Sequence, residues 1–232
     1  MRPQYSGTQR LFENPILEKL TRTHIAIPVS IFMLYSIGLI VWSIRFTSLP
    51  IGTSVVLFFA GWVVFTWVEY QVHRHIFHLS TYTEWRKNFQ YLVHGVHHHY
   101  PKDKDRLAMP PALSITIATV LLLLLKLVLG DYVFAFLPGF MVGYACYLLI
   151  HYLVHVYAPP KNRFKRLWLN HSIHHYKEGE LLFGVSSPLW DYIYGTIPNT
   201  QGQFLSNGIY STLIEADLHP GNLIFQNQSF YR

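Results

Sequence analysis

The chain has 232 residues, of which 51% are hydrophobic and only 13% charged, against about 25% charged in a typical soluble domain. Its mean hydropathy is +0.21. The length suits one domain, residues 1–232, and the single cysteine, Cys146, excludes an intramolecular disulfide framework. The net charge of +6 comes from scattered Lys and Arg with no nucleic-acid motif among them, which argues against a nucleic-acid partner.

In chain order, the N-terminus MRPQYSGTQRLFENP is polar and has no signal-peptide apolar core. The first apolar run must then act as its own insertion signal. Four runs are long and apolar enough for a bilayer core, which takes about 20 residues. They cover 26–44, 51–68, 112–129 and 132–150. The third holds one charge, Lys126, near an end where its ammonium can snorkel. Pro138-Gly139 is a candidate kink in the fourth. The links between the first and second runs, and between the third and fourth, are very short, so each pair reads as a tight helical hairpin. Of the 18 Lys and Arg, only Arg45 and Lys126 fall on one side of the resulting topology. By the positive-inside rule the other side, with both termini, is cytoplasmic. The expected fold is all-α: four transmembrane helices under a cytosolic helical cap. It makes a multi-pass membrane protein of a bacterial inner membrane or the endoplasmic reticulum, and the net charge also favours anionic headgroups.

Ten of the 14 histidines fall in short clusters: His73 and His78; His94, His97 and His98; His151 and His155; His171, His174 and His175. The apolar runs and the Lys/Arg distribution alone put all ten on the cytoplasmic side. Residues at i, i+3 and i+4 share a helix face, so the last three clusters should each aim imidazoles at one point. His73 and His78, five apart, suit a helix end. Neutral imidazole binds iron, zinc, copper and nickel, and ten ligands suit two ions rather than one. A purely structural zinc site prefers cysteine and four ligands. Paired all-histidine ions above apolar helices suit oxygen activation beside a lipid chain. Carboxylates that can orient the imidazoles are Glu69, Asp103, Asp105, Glu180 and Asp191. His24, His75, His99 and His219 fall outside the pattern and read as non-ligands. The 199–232 tail carries only turn-forming residues and a short apolar stretch at 209–213.

These segments resemble the fatty acid hydroxylase superfamily, and within it the fatty acid 2-hydroxylases. The likeness runs from about Glu69 to Thr196, through Glu69-Tyr70, His73-Arg74, Phe77-His78 and HYLVH at 151–155. Its most specific blocks are HGVHHHYPKDKDRLAMPP, from His94 to Pro111, and HSIHHYKEGELLFGVSSPLWDYIYGT, from His171 to Thr196. The resemblance implies four transmembrane helices under a cap holding a dimetal centre. It implies two iron ions, with zinc as an alternative occupant of purified material, and O2 as co-substrate. Each of the family's ten histidine positions has a counterpart here. Many eukaryotic members begin with a cytochrome b5 domain that this sequence lacks, so the expected electron donor is external: cytochrome b5, or a ferredoxin with its reductase.

The expected reaction is hydroxylation of the acyl chain of a fatty acid or sphingolipid, at carbon 2. The protein contributes position and dryness, and the metals and O2 the chemistry. Lys102, Lys104 and Arg106 are candidates for headgroup contact or surface anchoring, and Tyr152, Tyr157 and Trp190 for an interfacial belt. A sterol or carotenoid hydroxylase or desaturase with the same centre is the nearest rival. A non-enzymatic metal-binding membrane protein is the rival from another class. A transporter needs ionisable residues along a mid-bilayer path, and these runs have none.

Overall fold

The computed structural model describes residues 3–4 and 6–198. The expectations for the tail and for His219 lie outside them. All regular structure among the described residues is helical: α1 (Pro15–Leu20), α2 (Ala26–Phe46), α3 (Ile51–Val72), α4 (Glu84–Gln90), α5 (Val96–His99), α6 (Pro111–Leu129), α7 (Val133–Val156), α8 (Lys165–Tyr176) and α9 (Leu189–Tyr194). By length and composition, three stretches can cross a membrane: Ala26–Phe46, Ile51–Phe77 and Lys104–Val156. The last holds two helices, α6 and α7, joined through Gly130–Tyr132, where Gly130 takes φ 57°. The outward faces are apolar, with Ile51 82% and Leu127 84% exposed. Water does not tolerate so continuous an apolar surface.

α7 is the axis of the bundle and packs closely along α2 and α3. Phe58 lies against Gly139, Gly61 against Phe136, and Phe65 against Gly143, so α3 and α7 run in the same direction. A Cβ on Gly139 would stand 1.7 Å from the Phe58 carbonyl oxygen, and one on Gly61 2.0 Å from that of Phe136. Gly139 and Gly143 therefore form a small-residue stripe that lets the two backbones touch. Against α2 the direction is reversed: Phe32 meets Tyr144 edge-to-face at 4.9 Å, and Trp42 meets Phe134 at 5.9 Å. Pro138 sits inside α7 and leaves the Phe134 carbonyl without its helical donor. The Pro138 carbonyl itself accepts from Ser36 Oγ at 3.3 Å. α6 returns beside α7 but packs sparsely on it and at most marginally on α3. An apolar gap is left between them.

Because α3 and α7 are parallel, their C-terminal ends arrive together at one end of the bundle. The segments 73–110 and 157–198 cover that end. Two π-helical turns shape it, His73–Phe77 and Tyr91–Gly95. In the first, the His78 N–H donates to the His73 carbonyl at 3.1 Å. That five-residue step brings both rings to one side, where an α-helix would have separated them. Such π segments are frequent at functional sites.

Candidate metal centre

All ten predicted histidines converge in two adjacent groups of five. One holds His73, His78, His94, His98 and His174; the other holds His97, His151, His155, His171 and His175. Within each, the ligand atoms lie within 4.8 Å of one another. The groups abut where the His98 and His175 rings stack at 4.1 Å. The clusters do not each aim at one point. His94 and His98 go to one group while His97 crosses to the other, and His171 and His175 part from His174 in the same way. The cause is helical phase: residue i+4 lies about 40° from residue i, and residue i+3 about 60° to the opposite side.

The ring nitrogens present lone pairs to a shared centre. His73 Nδ1 donates to the Phe183 carbonyl at 2.5 Å, His151 Nδ1 to Leu107 at 3.2 Å, and His174 Nδ1 to Leu181 at 2.7 Å. Their Nε2 atoms are therefore unprotonated. His94 Nε2 is approached by His73 Nε2 at 3.1 Å and by His98 Nε2 at 2.9 Å. His97 Nε2 is approached by His151 at 3.0 Å and by His175 at 3.1 Å. A single N–H satisfies only one such neighbour, so each group has more lone pairs than protons. His174 Nε2 and His78 Nε2 are buried with no hydrogen-bond partner among the described residues. A cation at each centre resolves both conditions. The spacing also fits: two imidazole nitrogens about 2.0–2.1 Å from one ion, at right angles, stand roughly 2.9 Å apart.

Electrostatics agree. Burial, reinforced by neighbouring imidazoles, holds His94, His97, His98, His171 and His175 well below the ordinary imidazole value. Burial alone brings His78 down to about 4, and burial with the nearby His78 brings His174 down to about 3. All seven are neutral at pH 7 and available as ligands.

Among the described residues, no carboxylate orients the rings directly. Backbone carbonyls do so, and carboxylates act one step behind them. Asp191 Oδ1 accepts the Phe183 N–H at 2.8 Å, and Oδ2 accepts the Gly184 N–H at 2.9 Å. Glu69 Oε1 accepts the N–H groups of Val185 and Ser186 at 2.9 and 2.8 Å. Leu182, between the two ring-orienting carbonyls, is fully buried at φ 60°. That left-handed conformation is costly for a side-chain-bearing residue. It turns the carbonyls on either side of it, those of Leu181 and Phe183, toward two different histidines of one group. Of the other candidate carboxylates, Asp103 pairs with Arg106 at 3.5 Å, and Asp105 accepts the Thr23 N–H through its backbone. No contact joins Glu180 to an imidazole.

Arg106 is committed internally: to Thr21 Oγ1 at 2.8 Å, the Gln9 carbonyl at 2.9 Å and Glu18 Oε1 at 2.5 Å. Lys102 Nζ donates to the His155 carbonyl at 3.0 Å. These two therefore brace the cap, and Arg106 also borders a cavity described below; Lys104 alone of the three is exposed. Of the non-ligand histidines, His75 is exposed, His24 Nδ1 accepts the Ala26 N–H at 3.3 Å, and His99 packs on Tyr100 at 4.5 Å.

An apolar cavity of about 460 Å³ fills the gap between α3, α6 and α7. It begins at His73 and Phe77 and reaches Leu125 and Phe136. A second cavity of about 350 Å³ touches His94, His97, His151 and Arg106, and shares Phe77, Met109, Tyr144 and Tyr147 with the first. Tyr152, Tyr157 and Trp190 line neither.

A profile of the fatty acid hydroxylase family matches residues 58–196. The chain belongs to this family. It is 35% identical over 207 residues to a ceramide very long chain fatty acid hydroxylase of Schizosaccharomyces pombe, covering 85% of this chain and 58% of that protein. It is 34% identical over 191 residues to a dihydroceramide fatty acyl 2-hydroxylase of Arabidopsis thaliana, covering 82% and 80%. A fatty acid 2-hydroxylase of Rattus norvegicus is 29% identical over 209 residues, covering 81% and 56%. The chain thus spans little more than half the length of the yeast and rat relatives. A solved structure of full-length scs7p, with only its hydroxylase domain visible, matches with a TM-score of 0.77 at 30% identity, over 84% of this chain and 74% of that one. The family's fold is thus shared, and all ten histidines lie within the matched residues 58–196.

Proposed function

We propose that this chain is an O2-dependent di-iron membrane hydroxylase that acts on the acyl chain of a fatty acid or sphingolipid at carbon 2. The observation that carries the proposal is the pairing of two five-histidine groups with an apolar cavity that starts at His73 and runs down the bundle. The names of the relatives, which include ceramide and dihydroceramide acyl hydroxylases, support the substrate class.

The ten histidines would hold the ions, one group each. When bound, two irons supply the O2 activation and electron transfer that an unactivated C–H bond requires. The reaction consumes one O2, two electrons and two protons, and yields the alcohol and one water. The electrons come from an external donor, cytochrome b5 or a ferredoxin with its reductase. The residues of the chain do the rest. The walls of the larger cavity take the alkyl tail and exclude water. Phe77, Met109, Tyr144 and Tyr147 sit where the two cavities meet, and hold the chain beside both histidine groups. The smaller, more polar cavity takes the head of the lipid, which leaves a carbon near the head at the junction. The loop fixed by Glu69 and Asp191 keeps His73 and His174 in register. In this reading α2, α3, α6 and α7 each span the membrane, and both termini and the centre face the cytoplasm.

The test is mass spectrometry of hydrolysed lipids from a host that lacks 2-hydroxy fatty acids, with an electron donor supplied. Cells making the chain should gain an acyl species one oxygen atom heavier, hydroxylated at carbon 2. Cells making the His97→Ala/His174→Ala form should not. Hydroxylation at another carbon retains the centre and discards the position. No product from normally inserted protein discards the acyl substrate and favours a sterol or carotenoid.

A further inference from the structure

Helix α9 turns one apolar face outward and is fastened to a membrane-crossing helix below the level of the histidines. Leu189, Tyr192 and Ile193, at i, i+3 and i+4, are 49%, 52% and 59% exposed. On its inner side, Trp190 Nε1 donates to Thr66 Oγ1 at 3.0 Å, and Tyr194 OH accepts from Trp67 Nε1 at 3.0 Å. Thr66 and Trp67 belong to the uncharged run of α3, and Thr66 lies roughly 10 Å along the axis before His73. Beside α9 runs the exposed segment Lys161–Arg166, sequence KNRFKR, a loop that leads into the first turn of α8, with Phe164 66% exposed. The guanidinium of Arg166 lies 5.6 Å from the Tyr192 ring and ties loop to helix.

The geometry points to α9 and the 161–166 segment as an in-plane anchor: α9 immersed at the acyl boundary, and the segment's cations set against the phosphates of anionic lipids. Three observations choose a lipid leaflet over a soluble protein. The apolar face is set at the depth of a residue inside an uncharged, lipid-facing helix. Aromatic and basic side chains alternate across the patch, as in interfacial elements. Four cations within six residues, with no acid among them, match an anionic surface. Function follows from place. This anchor carries Asp191, so the depth at which α9 sits is transmitted to the loop that orients His73 and His174.

The test uses the full chain in nanodiscs of phosphatidylcholine and phosphatidylglycerol, with Cys146→Ser as background. An NBD probe on Ile193→Cys is challenged with spin-labelled lipid and with aqueous iodide. Leu34→Cys on the outer face of α2 serves as the lipid reference, and Glu84→Cys as the water reference. Quenching by lipid but not by iodide is expected at position 193. Iodide quenching equal to that at position 84 overturns immersion and leaves the patch to a soluble acidic partner. In native mass spectrometry, Lys161→Gln, Arg163→Gln and Lys165→Gln should each lower phosphatidylglycerol retention by about 5-fold, the equivalent of about 1 kcal/mol per cation. Unchanged retention in the triple variant overturns the headgroup assignment.

Discussion

Asp191 stands directly behind His73 through one backbone residue: its Oδ1 accepts the Phe183 N–H at 2.8 Å, and the Phe183 carbonyl accepts from His73 Nδ1 at 2.5 Å. Its Oδ1 also accepts from Thr196 Oγ1 at 2.8 Å. Asp191→Asn keeps the shape but turns one acceptor into a donor facing a backbone N–H. The Phe183 carbonyl should then drift and His73 lose its fixed tautomer. Changes of this kind typically cost about 10–100-fold in metal affinity or activity. The expected result is a loss of metal confined to the group with His73, read by elemental analysis after dialysis against a weak chelator. Equal retention of both ions would show that the loop is not needed to position the ring.

The split of the clusters gives a second prediction. His97 and His98 are neighbours in sequence and belong to different groups, as do His174 and His175. His98→Ala and His174→Ala should deplete one ion, and His97→Ala and His175→Ala the other. Two single variants from the same group should leave one ion per chain, and a pair from different groups should leave less than one. A loss governed by sequence cluster rather than by spatial group would refute the division.

The histidine clusters were legible because i, i+4 spacing on a helix is a strong geometric statement. Their partition was not, since it depends on which side of each helix faces the neighbouring group. The His73 and His78 pair was readable as a pair but not as geometry, because the π turn that joins them has no sequence code of its own. Glu69 and Asp191 were legible as useful carboxylates, but they bind backbone amides rather than imidazoles. The Leu107, Leu181 and Phe183 carbonyls are invisible to sequence, because every residue has one. The glycines at 61, 139 and 143 carried a readable small-residue spacing that composition and hydropathy passed over. The cavity is not encoded locally at all: it arises because α6 is held away from α3, a relation between segments some fifty residues apart.

That same glycine contact predicts a stability effect. Gly139→Leu places a side chain where the Phe58 carbonyl already stands. Overpacking typically costs about 1–3 kcal/mol, and here the obstacle is backbone, which cannot rotate away. Thermal unfolding in detergent should show a drop of at least that size, with the two histidine groups impaired together, because α3 leads directly into His73 and His78 of one group and α7 carries His151 and His155 of the other. Gly38→Leu, where an added Cβ meets nothing within 4 Å, is the matched control.

The depressed imidazoles make the metal-free protein acid-sensitive. In the unfolded chain each histidine titrates near 6.5, whereas in the folded chain His78 titrates at about 4 and His174 at about 3. Between those values the unfolded state binds more protons, so stability rises with pH and is lost as pH falls. The contribution is complete above about 6.5 and declines progressively toward 4 and below. Chelator-treated protein should therefore lose thermal stability as pH falls below about 6.5. The metal-loaded form should hold until protons displace the ions, and a stability independent of pH in the metal-free protein would contradict buried, neutral rings.

The cavity makes the sharpest statement about substrate. Leu121 lines it partway along α6, between Ser114 near the histidine end and Leu125 near the far end. Leu121→Trp should fill the tunnel below that level and leave the histidine groups and the junction at Tyr144 and Tyr147 untouched. Long saturated chains would then bind poorly while short ones still reach the centre, so kcat/KM should fall for long acyl substrates and hold for short ones. Leu125→Ala should do the reverse and admit longer chains, since it removes bulk at the far end. The check is competition between acyl lengths in one reaction, with products resolved by mass, which cancels differences in enzyme amount and metal loading. A uniform loss across all lengths would mean that the tail does not run down this cavity. An unchanged profile would place it outside the bundle, along the lipid-facing surface.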